Sequence, residues 1–131
     1  MILLDTSAIY ALAADGDQDH SRAVLRMERA IADGEDLLVH SYIISEVANL
    51  LQRRLGLTAV LAFLRQLDQF VVHWLDEEDH SDAVGLLVRR NRRGLSLVDC
   101  ASFVVMRRYG VTQALAFDAD FEREGFALYG S

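Results

Sequence analysis

Short apolar runs alternating with helical stretches predict an α/β fold of three αβα layers, with a central, mostly parallel, twisted sheet of four to five strands and helices on both faces. Three observations carry this. Ile2-Leu3-Leu4, Leu37-Leu38-Val39, Val71-Val72 and Leu115-Ala116-Phe117 are brief apolar runs of the kind that buried strands show. Helical segments separate them, so the strands must be joined by crossovers, which yields a parallel sheet covered on both sides. Acidic residues close several of these runs, and the strand ends of an open parallel sheet converge on one crevice.

The elements follow in order. Ile2 to Asp5 reads as the first strand, stopped by Asp5-Thr6-Ser7, residue types favoured at helix N-caps. Thr6 to Ala14 reads as a helix broken by Asp15-Gly16-Asp17. Asp19 to Asp33 reads as a second, with Ala23, Met27, Ala30 and Ile31 on one face and Gly34 as its C-terminal stop. Leu37 to Val39 is the second strand. A third helix opens at Ser41 or Tyr42 and reaches about Leu55, and after Gly56 a fourth, capped by Thr58, spans Leu57 to Asp68. Phe70 to Leu75 is the third strand. Asp76 to about Arg92 is a helix with acids in its first turn and Arg89, Arg90, Arg92 and Arg93 at its end, a polarity that suits the helix dipole. A last long helix from about Asp99 to Tyr109 precedes strands at Ala114 to Phe117 and Ala127 to Tyr129.

With 131 residues, 52% of them hydrophobic and 25% charged, the chain has the length and composition of one globular domain over residues 1–131. No apolar run approaches the roughly 20 residues that span a bilayer, and the N-terminus lacks the features of a signal peptide, so a soluble, cytoplasmic protein without membrane partners is expected. Cys100 is the single cysteine, which excludes an intrachain disulfide and a cysteine zinc cluster; beside Asp99 it reads as a buried structural thiol. The net charge of -7 argues at first against a nucleic-acid partner, but a cluster of metal-binding acids lowers that figure where bound cations would reverse the local field. All 13 basic residues are Arg, so chemistry that needs a lysine is excluded.

The acids at strand and helix ends carry the functional reading. Asp5 ends the first apolar run, Asp118 follows Leu115-Ala116-Phe117, Asp99 follows Leu95-Ser96-Leu97-Val98, and Glu46 sits in the apolar stretch Ile43 to Leu51. Carboxylates gathered in one pocket raise each other's pKa unless a cation compensates, so the pattern points to a divalent-metal site. Each acid also has a local reading. Asp5 fits a helix cap, Glu46 a solvated helix residue, Ser96 with Asp99 a capping box, and Asp118-Ala119-Asp120 a turn or helix start.

The ordered strings Leu3-Leu4-Asp5-Thr6-Ser7, Ser45-Glu46-Val47, Leu95-Ser96-Leu97-Val98-Asp99 and Phe117-Asp118-Ala119-Asp120-Phe121 resemble the PIN-domain ribonucleases, and among them the VapC-type toxins of bacterial toxin-antitoxin pairs. The likeness covers essentially the whole chain and implies a PIN-like fold. Carried over, the family's acidic quartet falls on Asp5, Glu46, Asp99 and Asp118 as catalytic, metal-holding residues, Asp5 and Asp99 as direct ligands and the other two as ligands or as groups orienting the attacking water. Thr6 or Ser7 would add a hydroxyl near the metal, and Ser96 would orient the site. Phe117 stands where Thr or Ser is common, and Asp120 is a substitute for Asp118 or a supplement to it. The pattern Asp17-x-x-His20 also occurs in related toxins.

The resemblance implies endoribonuclease activity as the toxin of a toxin-antitoxin pair, with Mg²⁺ or Mn²⁺ as cofactor, transfer or ribosomal RNA loops as substrate, a cognate antitoxin as partner, and a homodimer through the Leu57 to Leu67 helix. Mg²⁺ favours oxygen ligands, which an acidic pocket supplies. Arg89, Arg90, Arg92 and Arg93 are the expected RNA contacts, with Arg53, Arg54, Arg107 and Arg108 behind them. A haloacid-dehalogenase-like phosphatase also begins with a strand running into Asp, but it needs an acid where Ser7 stands and a lysine the chain lacks. The remaining alternative is a catalytically silent PIN scaffold that binds RNA or a protein without cutting.

Overall fold

The computed structural model describes residues 1–131. Strand β1 (Ile2–Leu4) leads into α1 (Thr6–Ala13) and α2 (His20–Ala32), and β2 (Leu37–His40) into α3 (Ser41–Arg54) and α4 (Leu57–Arg65). After a 3-10 turn at Leu67–Gln69 come β3 (Val71–His73), α5 (Glu77–Arg90), α6 (Leu97–Tyr109), β4 (Gln113–Leu115), the short α7 (Asp120–Arg123) and β5 (Ala127–Leu128). Every neighbouring strand pair is parallel, in the order β3-β2-β1-β4-β5.

That order explains where a site can form. The chain steps outward from β1 to β2 and β3, then returns to the far side of β1 for β4 and β5. Right-handed crossovers in opposite directions place α1 to α4 on one face of the sheet and α5 to α7 on the other. The packing agrees: α1 meets α2 and α3, α3 meets α4, and α5 meets α6. The direction reverses between β1 and β4, and a crevice opens beyond the carboxyl ends of strands at such a switch point. Asp5 directly follows β1, and Asp118 lies three residues beyond Leu115 at the end of β4.

Ile2, Leu3 and Leu4 are at most 1% exposed, because β1 has a neighbour on each side and a helical layer on each face. Phe103 of α6 meets Phe121 of α7 edge-on at 5.3 Å and stacks on Phe126 at 5.8 Å. Burying a ring of this size stabilises by about 1.5–3 kcal/mol. This anchors α7, and with it the turn carrying Asp118 and Asp120, against α6.

His40 performs a second positioning task at the end of β2. It is fully buried, its Nδ1 accepts from the Ile43 amide at 3.3 Å, and its Nε2 therefore donates to Ser102 Oγ at 2.8 Å. Ser102 donates in turn to the Val98 carbonyl at 3.1 Å. Burial, followed by the nearby His73, pushes the His40 pKa down to about 3, so the neutral ring holds this one tautomer at working pH. It ties β2 and α3 to the first turns of α6, where Asp99 sits.

The helix ends differ in places from expectation. Gly34 stops α2 as expected: at φ +71° it donates to the Ile31 carbonyl while Glu35 donates to Ala30, the paired bonds of a Schellman motif. Thr58 does not cap α4. Gly56 holds that position at φ +94°, the helix begins at Leu57, and it ends at Arg65 rather than Asp68 because the chain tightens into the 3-10 turn. At α5 the first-turn acids form a capping box between Asp76 and Asp79. α7 is an added element. No helix is long and apolar enough to cross a membrane.

Candidate metal centre

Asp5 leaves β1 in extended backbone and caps α1. Its Oδ2 accepts from the Ser7 amide at 3.2 Å and from Ser7 Oγ at 2.7 Å. The same hydroxyl accepts from the Phe117 amide at 3.0 Å, and the Asp5 amide donates to the Leu115 carbonyl at 3.1 Å. Ser7 therefore joins the ends of β1 and β4, and Asp5 caps α1 at the carboxyl end of β1. Burial, opposed in part by the Ser7 bonds and reinforced by Asp99 and Asp118, raises the Asp5 pKa from 3.8 to about 6.

Asp99 arrives from the opposite helical layer. Its Oδ2 accepts from the Ser96 amide at 3.1 Å while its own amide donates to Ser96 Oγ at 3.0 Å, so the capping box is real and leaves the other carboxylate oxygen unused by it. Burial and the charges of Asp118 and Asp120 push its pKa up. Asp118 accepts from the Asp120 amide at 2.9 Å, and burial together with Asp120 raises its pKa as well.

Ligand oxygens of Asp99, Asp118 and Asp120 all lie within 4.8 Å of one another. Asp120 thus stands in the same carboxylate group as Asp118. Arg92 and Arg123 pair with one oxygen of Asp120 at 3.2 and 3.1 Å. The donor set is all oxygen, several members resist ionisation, and the Thr6 hydroxyl is buried without a hydrogen-bond partner. These features fit a hard divalent cation such as Mg²⁺ or Mn²⁺, which would be held by Asp99, Asp118 and Asp120 with Asp5 beside them.

Glu46 is half-buried on α3 and stands outside this group, lining a separate hollow with Asn49, Gln52 and Arg53. The arginines expected to bind RNA divide. Arg90 pairs bidentately with Glu124 at 2.6 and 3.2 Å, and Arg92 is drawn to Asp120. Arg93 is exposed, and Arg89 lines a cleft between α5 and α6 with Arg107 and Arg108. Arg54 lies over the Tyr10 ring. His20 makes a 2.7 Å hydrogen bond with the Ala11 carbonyl and Asp17 accepts from the Asp19 amide at 3.0 Å, so that motif stitches the α1–α2 turn. The buried Cys100 thiol is pushed up to about 11 by burial and then by Asp99, which keeps it protonated.

Residues 2–127 match the PIN domain family model. The chain is 37% identical over 129 residues to the 23S rRNA-specific endonuclease VapC20 of Mycobacterium tuberculosis, in its CDC 1551 and H37Rv strains, covering 96% of this chain and 95% of that protein. The crystal structure of Mycobacterium tuberculosis VapC20, described as a sarcin-ricin loop cleaving toxin, superposes with a TM-score of 0.85 at 33% identity, over 97% of each chain. FitAcB from Neisseria gonorrhoeae shares the fold at a TM-score of 0.70 and 15% identity, over 99% of this chain and 97% of that one. With a family model spanning nearly the whole chain and a relative of this similarity, the chain belongs to the PIN-domain family.

Proposed function

We propose that the protein is an Mg²⁺- or Mn²⁺-dependent endoribonuclease that cuts a structured loop of 23S ribosomal RNA and acts as the toxin of a toxin-antitoxin pair. The observation that carries the chemistry is the mutual approach of the Asp99, Asp118 and Asp120 carboxylates within 4.8 Å, with Asp5 close enough to feel the charges of Asp99 and Asp118, at the switch point of the sheet. The substrate reading rests on the VapC20 relative, whose name and description specify 23S rRNA and the sarcin-ricin loop.

A bound divalent ion would supply an activated water, charge screening at the phosphate and a stabilised leaving oxygen. The chain's own contribution is to hold its acids in place. Ser7 fixes Asp5, Ser96 fixes Asp99, and the Asp120 amide fixes Asp118. Glu46, outside the carboxylate group, is assigned to orienting water. In the Arg89–Arg93 group, Arg92 is the member beside the pocket, with Arg89 and Arg93 further out as RNA contacts.

The test is incubation of the purified protein with 23S rRNA and with a sarcin-ricin-loop hairpin, in Mn²⁺, Mg²⁺ or EDTA, followed by mapping of new 5′ ends. A discrete cut in that loop that disappears in EDTA is expected. Stoichiometric Mn²⁺ binding with no cut in any RNA would instead support the silent scaffold.

Partner surfaces follow from the helical layer around α4. An apolar groove of about 760 Å³ runs between α1, α2 and α4, lined among others by Ile9, Leu12, Met27, Ala62 and Phe63, and is suited to an amphipathic segment of an antitoxin. On another face of α4, Leu57, Leu61 and Leu64 are 59, 40 and 39% exposed at helical spacing, a stripe suited to a second copy of the chain. Leu61→Glu should convert a dimer to a monomer in sedimentation velocity. A wild-type protein that sediments as a monomer at all concentrations sinks the dimer.

A further inference from the structure

Two cations of α2, outside the arginine run on α5, lie against Phe117, the residue that precedes Asp118. Phe117 lies between the end of β4 and Asp118, and its amide donates to the Ser7 hydroxyl that also holds Asp5. Its half-buried ring carries two guanidinium groups, those of Arg22 and Arg26, each with its central carbon 5.0 Å from the ring centroid. Four residues apart on α2, they share one helix face. Arg22 is tethered by an ion pair with Asp19, i,i+3 on the same helix. Arg26 forms no ion pair, and its stem passes so close to Gly130 that a Cβ there would stand 2.8 Å from Arg26 Cγ. A glycine at φ +78° thus leaves room for an arginine held on an aromatic ring at the edge of the site.

The charge balance gives this arrangement a purpose. In a chain of net charge -7, Arg90 and Arg107 are engaged by Glu124, Arg92 and Arg123 by Asp120, and Arg108 by Asp79 and Asp82. A polyanion approaching a pocket of carboxylates needs fixed cations flanking that pocket, and a guanidinium on a ring presents its N–H edge while its face is occupied. We infer that Arg22 and Arg26, seated on Phe117, bind backbone phosphates of the RNA strand next to the one that is cut. Arg26, free of any carboxylate, is the stronger contact. The inference rests on the RNA-cleaving reading and adds to it the path of the strand, across the α2 side of the pocket and over Phe117. Arg22 and Arg26 are positioning residues: they hold the strand and take no part in bond cleavage.

The test is fluorescence anisotropy with a fluorescein-labelled sarcin-ricin-loop hairpin in EDTA, across a potassium chloride series, together with steady-state cleavage in Mn²⁺. The double substitution Arg22→Ala and Arg26→Ala should weaken binding roughly tenfold or more. It should also lower the slope of log K against log salt by about 1.4, the value for two single-strand phosphate contacts. KM should rise by a similar factor while kcat stays within about threefold. The Arg22→Lys, Arg26→Lys pair should restore the slope, since the number of charges is the same, which a purely structural role on the ring would not predict. If the alanine pair melts early, Arg26→Gln alone is read in the same way. An unchanged slope and KM in a folded variant, with wild type still cutting the hairpin, overturns this inference and leaves the nuclease reading standing. A wild type that neither binds nor cuts any RNA takes both down.

Discussion

Replacing Asp99 by asparagine is expected to lower Mn²⁺- or Mg²⁺-dependent RNA cleavage by roughly 10²- to 10³-fold or more, the scale of losing one fixed electrostatic group at a transition state. The fold should survive. Asparagine keeps a side-chain oxygen where Asp99 accepts from the Ser96 amide at 3.1 Å, so the start of α6 stays capped. What disappears is the negative charge, at a position where burial, Asp118 and Asp120 already oppose it. In EDTA the variant should therefore melt no lower than wild type, which separates loss of the site from loss of the protein. Glu46→Gln should cost less, about 10- to 100-fold, and should leave Mn²⁺ affinity unchanged, as expected of a group that acts through water rather than on the metal. Undiminished cleavage by the Asp99 variant in purified form removes it from the site. Equal losses of Mn²⁺ affinity in both variants would place Glu46 on the ion instead.

The parts of this arrangement that were legible in sequence are those that follow from strand geometry. An apolar run that stops at an acid is a strand whose next residue lies at the sheet's carboxyl edge, and Asp5 and Asp118 are found beyond the ends of β1 and β4, which pair in the sheet. Asp99 was legible as a capping box, which the structure shows, and the cap uses one carboxylate oxygen, so it is compatible with the reading of Asp99 as a site residue. The short helix at Asp120 was not legible, although the residue itself stood out as a substitute for Asp118 or a supplement to it. Asp120 opens a four-residue helix too short to show periodicity, and only the anchoring of Phe121 on Phe103 turns it toward its neighbours. The partners of the arginine run at the end of α5 were not legible either. Like charges at a helix end read as free cations, but Arg90 and Arg92 meet Glu124 and Asp120 from about 30 residues away, a tertiary pairing with no local trace. The Arg22–Phe117–Arg26 contact also joins distant segments and leaves no local trace.

In the absence of metal the stability of this protein should fall as pH rises, in a way traceable to Asp5. Its pKa is 3.8 in the unfolded chain and about 6 in the fold, chiefly because the carboxyl is buried at 5% exposure. A group raised on folding contributes stability that is complete below the unfolded value and is lost as pH climbs through the folded one, so the window runs from about pH 4 to about pH 6. At roughly 1.4 kcal/mol per pH unit the loss approaches 3 kcal/mol as an upper bound. Asp99 and Asp118 are shifted in the same direction and deepen it. Asp79 opposes it. Burial disfavours its charge, yet hydrogen bonds from His73 and the Asp76 amide, with Arg108 close by, hold its pKa low, so its stabilisation fades only on acidification. Comparing wild type with Asp5→Asn isolates the Asp5 share, since asparagine serves as well at an N-cap and carries no charge. In EDTA at pH 7.5 the variant should melt several degrees higher, on the order of 5–10 °C, and near pH 4 the two should coincide. Metal should reverse the order. An ion at about one hundred times its dissociation constant returns roughly 2.7 kcal/mol to a protein that binds it only when folded, and wild type gains this while the variant, lacking one charge of the site, gains less. A wild type that out-melts Asp5→Asn in EDTA at pH 7.5 would show that the Asp5 charge is already compensated within the protein, leaving no electrostatic demand for a cation at this pocket.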